Sequence, residues 1–149
     1  MITDPDSLPR NNRGRQIDVI SAIGVGGAIG TLARYGIAVA FPVAARQIPW
    51  STLGINLSGS FLLGIILFVV VKRSANRFAR PFVVIGVLGG FTTFSTFAVE
   101  IVQLMRARPW IALIYLTISV LGGAVCVLAG GMAGQRIYSR PIDRSSASS

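Results

Sequence analysis

Residues Pro81 to Met105 read PFVVIGVLGGFTTFSTFAVEIVQLM, and the only charge among them is Glu100. Roughly 20 apolar residues in a helix cross the hydrocarbon core of a bilayer. This run is longer and leaves some length for tilt. Three other runs share the property. Val19 to Ala45 is interrupted only by Arg34, Ser51 to Val71 carries no charge, and Pro109 to Gln135 carries none. A soluble core could hide one such helix. Four of them, joined by three short polar connections in 149 residues, leave too little polar surface to cover them. The sequence therefore predicts an all-α integral membrane protein with four transmembrane helices. They fall at about 19–43, 51–71, 81–105 and 109–135, inside a membrane domain over 18–135. A polar tail (1–17) precedes that domain, and a Ser-rich tail (136–149), expected to be disordered, follows it.

Helix punctuation agrees with these limits. Ser51 suits an N-cap of the second run. Pro81 and Pro109 stand where the third and fourth runs begin, and proline is tolerated in a first turn. Trp50 and Trp110 lie at run edges, where amphipathic rings favour the lipid–water interface. The residues before Asp18 make a poor secretory signal, because the apolar run behind them is too long for one. No internal repeat is visible.

Composition removes several functional classes. Hydrophobic residues make up 52% and charged residues 13%, about half the usual charged share. A disordered chain would lack the apolar residues, and one cysteine, Cys126, cannot build a disulfide scaffold. With no histidine, His-based triads, bases and metal ligands are excluded. No phosphate-binding Gly-Lys-Ser loop is present, which argues against ATP-driven transport. The first run also lacks the acid that a small proton-coupled cation exporter needs. Neither a nucleophile–base pair nor a metal cluster is visible, so no enzymatic activity is expected.

The net charge of +9, from 14 basic and 5 acidic residues, has a topological explanation. Four spans place both ends of the chain and the middle loop on one side. That side holds Arg10, Arg13, Arg15, Lys72, Arg73, Arg77, Arg80, Arg136, Arg140 and Arg144; the other holds Arg46, Arg106 and Arg108. Positive residues near span ends stay in the cytoplasm. Both termini are therefore expected inside a multi-pass cell (plasma) membrane protein. The excess charge reads as an orientation signal with some attraction to anionic lipid, and nucleic-acid binding is not expected.

Polar residues inside the spans mark candidate function. Gly26 and Gly30, Gly86 and Gly90, and Gly130 and Gly134 are each four apart, a spacing that lets helices approach closely in lipid. The segment Gly89-Gly90-Phe91-Thr92-Thr93-Phe94-Ser95-Thr96-Phe97 is a poor helix interior. Two conformations are open to it. One is a continuous helix whose hydroxyls bond back to the preceding turn. The other is a break near Gly89–Thr93 that frees backbone groups at mid-membrane, a common design for an ion site. Phe94 and Phe97 share a helix face; such rings either meet lipid or turn their positive edges toward an anion. Asn56 brings two N–H donors into the second span, for an interhelical bond or for a pore. Tyr115 and Ser119 can line one face of the fourth. Arg34 is an intramembrane cation and a functional candidate by default, unless it snorkels to headgroups. Glu100 could pair with a cation, bond to a neighbouring helix or sit in a wet vestibule. Cys126 is most simply a small buried apolar residue. Hydroxyls, one amide, phenyl edges and Arg34 suit an anion better than a cation.

Three motifs carry a family resemblance. They are Gly26-Gly27-Ala28-Ile29-Gly30 with Arg34-Tyr35; Asn56-Leu57-Ser58-Gly59-Ser60-Phe61 with Gly64; and the Gly89–Phe97 segment with Glu100. In this order the chain resembles the Fluc (CrcB) family of fluoride channels over its four spans, leaving out both tails. The resemblance implies a dual-pore dimer of antiparallel subunits through which fluoride leaves the cell passively, conferring fluoride resistance. It places Asn56, Thr93, Phe94, Phe97, Tyr115, Ser119 and Arg34 along the fluoride pathway. It also implies a structural sodium ion at the dimer interface, held by the backbone carbonyls of Gly89 and Thr92. Phe91, where other members often have Leu, is a mild departure. Moderate donors fit such an ion, because they replace the water of a strongly hydrated anion and still release it.

One feature departs from the simplest family arrangement. A subunit that inserts both ways needs little charge bias, yet ten cations oppose three here. The expectation is one-way insertion and pairing with an oppositely oriented homologue, with a homodimer as the alternative. Two other functions compete with the channel: a fluoride–proton antiporter using Glu100, and a non-conducting partner subunit, against which the intact Phe94, Phe97 and Asn56 argue.

Overall fold

The computed structural model describes residues 12–42, 47–73 and 78–139. Arg10, Arg46, Arg77, Arg140 and Arg144 lie outside the described residues, as do residues 1–11 and 140–149 of the two tails. The described residues form α1 (Asn12–Ala40), α2 (Trp50–Arg73), a π-helical segment (Pro81–Leu88), the single turn α3 (Gly89–Phe91), α4 (Phe94–Ala107) and α5 (Pro109–Ser139). Four stretches are long and apolar enough to cross a membrane: Gly14–Ala40, Trp50–Val69, Pro81–Ala107 and Pro109–Ser139. The chain is therefore a multi-pass, all-α membrane protein. Its third span is assembled from three pieces.

Helix ends follow local chemistry. α1 starts at Asn12, ahead of the apolar run that begins at Val19, and α5 continues to Ser139, past Gln135. No proline or glycine interrupts the extension of α5, and the single glycine of the α1 extension, Gly14, does not stop that helix. Ser51 does not cap α2. That helix starts one residue earlier, at Trp50, and the Pro49 carbonyl accepts from Leu53 N–H at 3.0 Å. Pro81 and Pro109 open their elements as expected. The π winding after Pro81 was not legible in the sequence. It ends at Gly89, whose N–H reaches only three residues back, to the Gly86 carbonyl.

Two helix pairings organise the molecule. α1 lies along the π-helical segment and α3, and α2 lies along α5, with α4 packed on α5. Lipid offers helices no hydrophobic drive to associate, so contact depends on close van der Waals fit. Glycines supply it. A methyl group at Gly30 would collide with the Val87 carbonyl, and one at Gly64 with the Val127 carbonyl. The buried cluster, Leu53, Phe97, Leu104, Ile111, Ala112 and Tyr115, sits where α2, α4 and α5 meet. Large apolar side chains elsewhere face outward; Leu32 is 69% and Leu128 68% exposed. Water would penalise such a surface, whereas hydrocarbon accepts it.

Candidate functional site

The third span opens at two residues. The backbone is helical through Phe91. Thr92 (φ −77°, ψ 154°) and Thr93 (φ −140°, ψ 116°) are extended, and α4 starts at Phe94. Of the two conformations compatible with the sequence, the chain adopts the break. An unbroken α-helix would send Thr93 N–H to the Gly89 carbonyl and Thr96 N–H to the Thr92 carbonyl. Instead Thr93 N–H donates to Asn56 Oδ1 at 2.9 Å, and Thr96 N–H donates to Thr93 Oγ1 at 3.2 Å. The Gly89 and Thr92 carbonyls thereby lose their helical partners.

Asn56 makes the break tolerable in lipid. Its Nδ2 donates to the Thr93 carbonyl at 3.0 Å while its Oδ1 receives the Thr93 N–H. One side chain thus satisfies both backbone groups of the residue at the break. An unsatisfied backbone group in hydrocarbon costs several kcal/mol, and the reciprocal pair removes that cost at Thr93. The neighbouring groups are also bonded. Thr92 N–H and its hydroxyl both donate to the Leu88 carbonyl, at 3.0 and 2.9 Å. The Thr93 hydroxyl donates to Thr96 Oγ1 at 2.9 Å.

Arg34 serves the same break from the other side. Its Nε donates to the Gly90 carbonyl at 3.2 Å, and the Thr31 hydroxyl lies 3.4 Å from the same oxygen. A cation there complements the partial negative charge at a helix C-terminal end.

Next to the break lies a cleft of about 480 Å³. Asn56, Ser60, Thr93, Phe94, Phe97 and Ser119 line it, together with Gly89 and Thr92, and no charged side chain is among its lining residues. Asn56 has two amide N–H groups and gives one to Thr93. Ser119 Oγ is buried with no hydrogen-bond partner. The Phe94 and Phe97 rings are tilted by 46° with centroids 6.0 Å apart. Phe97 is buried against Tyr115 at 5.3 Å, whereas Phe94 is 81% exposed. The cleft therefore offers neutral donors and two phenyl rings to a small anion, with no fixed charge among its lining residues to trap it.

The expected pathway residues divide into two groups. Asn56, Thr93, Phe94, Phe97 and Ser119 come together at the cleft. Arg34 and Tyr115 are not among its lining residues. Tyr115 is fully buried and donates its hydroxyl to Glu100 Oε2 at 2.8 Å. The Thr52 hydroxyl donates to Glu100 Oε1 at 2.7 Å. Of the roles open to Glu100, bonding to neighbouring helices is the one adopted, and it joins α2, α4 and α5. Thr31, Thr52 and Ser60 were missed by sequence reasoning. The signal was present for two of them: Thr52, Asn56 and Ser60 recur every four residues and so share one face of α2.

Among the described residues no group of three His, Cys, Asp or Glu side chains is placed to hold a metal ion. A bound cation would have to use neutral oxygens. The freed Gly89 and Thr92 carbonyls, at the negative end of a half-helix, have the chemistry that sodium takes from unwound membrane helices.

A family model described as "CrcB-like protein, Camphor Resistance (CrcB)" matches residues 21–131. The chain belongs to the CrcB family. Among its relatives, a "Fluoride-specific ion channel FluC" of Magnetococcus marinus is 42% identical over 113 residues, covering 74% of this chain and 89% of the relative. "Fluoride-specific ion channel FluC 1" of Streptomyces coelicolor is 37% identical over 82% of this chain and 80% of its own length. A protein of the same name as the first, from Agrobacterium fabrum, is 38% identical over 80% of this chain and 98% of its own length. The CrcB match covers the helix break, Asn56, Glu100 and Ser119, and stops short of both tails.

Proposed function

We propose that this chain is a subunit of a passive, fluoride-selective channel that lets fluoride leave the cytoplasm. The observation that carries the proposal is the cleft at the break, lined by an amide, hydroxyls and two phenyl rings without a charged residue. Fluoride is small and strongly hydrated, so a path must replace its water with donors yet bind weakly enough for release. An inside-negative potential drives an anion outward with about 2.3 kcal/mol per 100 mV. The names of the relatives support fluoride as the ion. Glu100 accepts two hydroxyl bonds and sits outside the cleft lining, which favours a channel over an antiporter that cycles protons through it.

The site assignments belong to the same proposal. Asn56, Thr93, Phe94, Phe97 and Ser119 contact the ion, Tyr115 supports Phe97, and Arg34 holds the break while adding positive potential near its mouth. The Gly89 and Thr92 carbonyls would hold a structural sodium ion, which would neutralise the half-helix end. Phe94, open to its surroundings, supports a second, antiparallel subunit that covers the cleft. The charge bias favours termini in the cytoplasm and a partner that is an oppositely biased homologue; a homodimer is the alternative.

Two reconstitutions test function and partnership together. Fluoride efflux from liposomes is read by electrode for the chain alone and for the chain co-purified with an oppositely biased CrcB-family subunit. Efflux from the pair only fits the whole proposal. Efflux from the chain alone keeps the channel and overturns the heterodimer. Absence of efflux from both overturns the channel.

A further inference from the structure

α2 and α5 pack in a constant register. The Thr52 and Tyr115 hydroxyls meet on the Glu100 carboxylate. Four residues on, Asn56 and Ser119 line one cleft. Four more bring Ser60 opposite Gly123: a Cβ placed on Gly123 would lie 3.6 Å from Ser60 Oγ. A final step pairs Gly64 with the backbone at Val127. Each partner thus lies 63 residues further along the chain, as steps of four on two aligned helices require. Three of these rungs carry polar side chains, and the third carries its hydroxyl on one helix only.

We propose that Ser60 is a further ion-contacting residue of the pathway, and that Gly123 keeps the space in front of its hydroxyl open. Ser60 lines the same cleft as Asn56 and Ser119 and lies one turn beyond Asn56 along α2. An ion leaving the Asn56–Ser119 rung in that direction meets Ser60 next. Without it the ion would meet apolar neighbours such as Leu63 and Val84 on this side of the cleft, and would shed water with little in exchange. Ser58 provides the internal contrast. It belongs to the same helix, but its hydroxyl bonds to the Ile55 carbonyl at 3.1 Å and it lines a different recess, with Ile37 and Phe41.

The inference rests on the channel proposal, and its test separates the two. Fluoride efflux is measured in whichever reconstituted preparation conducts, with dimer content checked by gel filtration. Ser60→Ala is expected to slow efflux about tenfold, as fits loss of one hydroxyl contact. Ser58→Ala should stay within about twofold of the parent, since its hydroxyl contacts only its own helix. Placing the hydroxyl on the opposite helix, in the double variant Ser60→Ala with Gly123→Ser, should restore most of the rate. A structural role for Ser60 would not be rescued from across the rung. Efflux by Ser60→Ala equal to the parent overturns the inference, as does an equally slow double variant. If the parent itself carries no fluoride, the channel proposal fails instead.

Discussion

Asn56 holds both backbone groups of Thr93 with one amide, and this gives it two duties that substitution can separate. Asn56→Asp keeps an acceptor for Thr93 N–H but loses the donor to the Thr93 carbonyl and adds a negative charge beside the cleft. Leaving a buried carbonyl unsatisfied costs about 1–3 kcal/mol, and the charge repels an anion. Fluoride flux in liposomes should fall at least about 100-fold, the equivalent of roughly 2.7 kcal/mol in barrier. Phe94→Ile, which removes an exposed ring without touching the break, should lower flux while leaving thermal stability in detergent near that of the parent. Unchanged flux in both variants would refute the site. At this scale the sequence was partly informative. Asn56, Phe94 and Phe97 stood out because an amide and paired rings are conspicuous in a span. Thr31 and Thr52 did not, because their partners lie 59 and 48 positions away; spacing put Thr52 on the Asn56 face of α2 but could not show what it bonds. Arg34 was visible as a costly cation, but its acceptor, the Gly90 carbonyl, exists only because the break frees it.

The elements show where local sequence decides and where packing does. Hydropathy and proline positions placed the four spans, because crossing a bilayer imposes a length that few other constraints override. Helix propensity alone left the Gly89–Phe97 segment undecided. Tertiary partners settled it: the break persists because Asn56 comes from another helix and the Thr93 hydroxyl caps Thr96 N–H. The π winding of Pro81–Leu88 had no signature beyond its proline. Glycine spacing was legible as close packing, and the structure names its targets. Gly30→Ala would drive a methyl group into the Val87 carbonyl, whereas Gly36 has open space at the equivalent point. Backbone on both sides of the Gly30 contact leaves little room for repair, so Gly30→Ala should cost roughly 1–3 kcal/mol by overpacking. Its yield of monodisperse protein should drop and its melting temperature fall, while Gly36→Ala behaves like the parent. Equal stability of the two variants would show that α1 does not lie on the π-helical segment as described.

Across the whole molecule, charge distribution bears on assembly. The proposed topology puts ten cations on the inner side and three on the outer. A reporter fused after Ser149 that is active only in the cytoplasm should therefore give signal, and one active only outside should not. The reverse result, or equal signal from both, would remove the basis for pairing with an oppositely oriented homologue. Phe94 is exposed although it lines the cleft, a surface that the proposed second subunit would cover. Sequence left that exposure undecided, since no local pattern tells a lipid-facing ring from one that lines an ion path.

Selective, passive fluoride conduction is read out in reconstituted liposomes. Liposomes holding the reconstituted protein, loaded with equal fluoride and chloride, are followed with electrodes for both ions while the membrane potential is clamped and no pH gradient is imposed. Rapid release of fluoride with chloride retained is the predicted result. Equal release of both ions, fluoride movement that requires a proton gradient, or no release of either would contradict it.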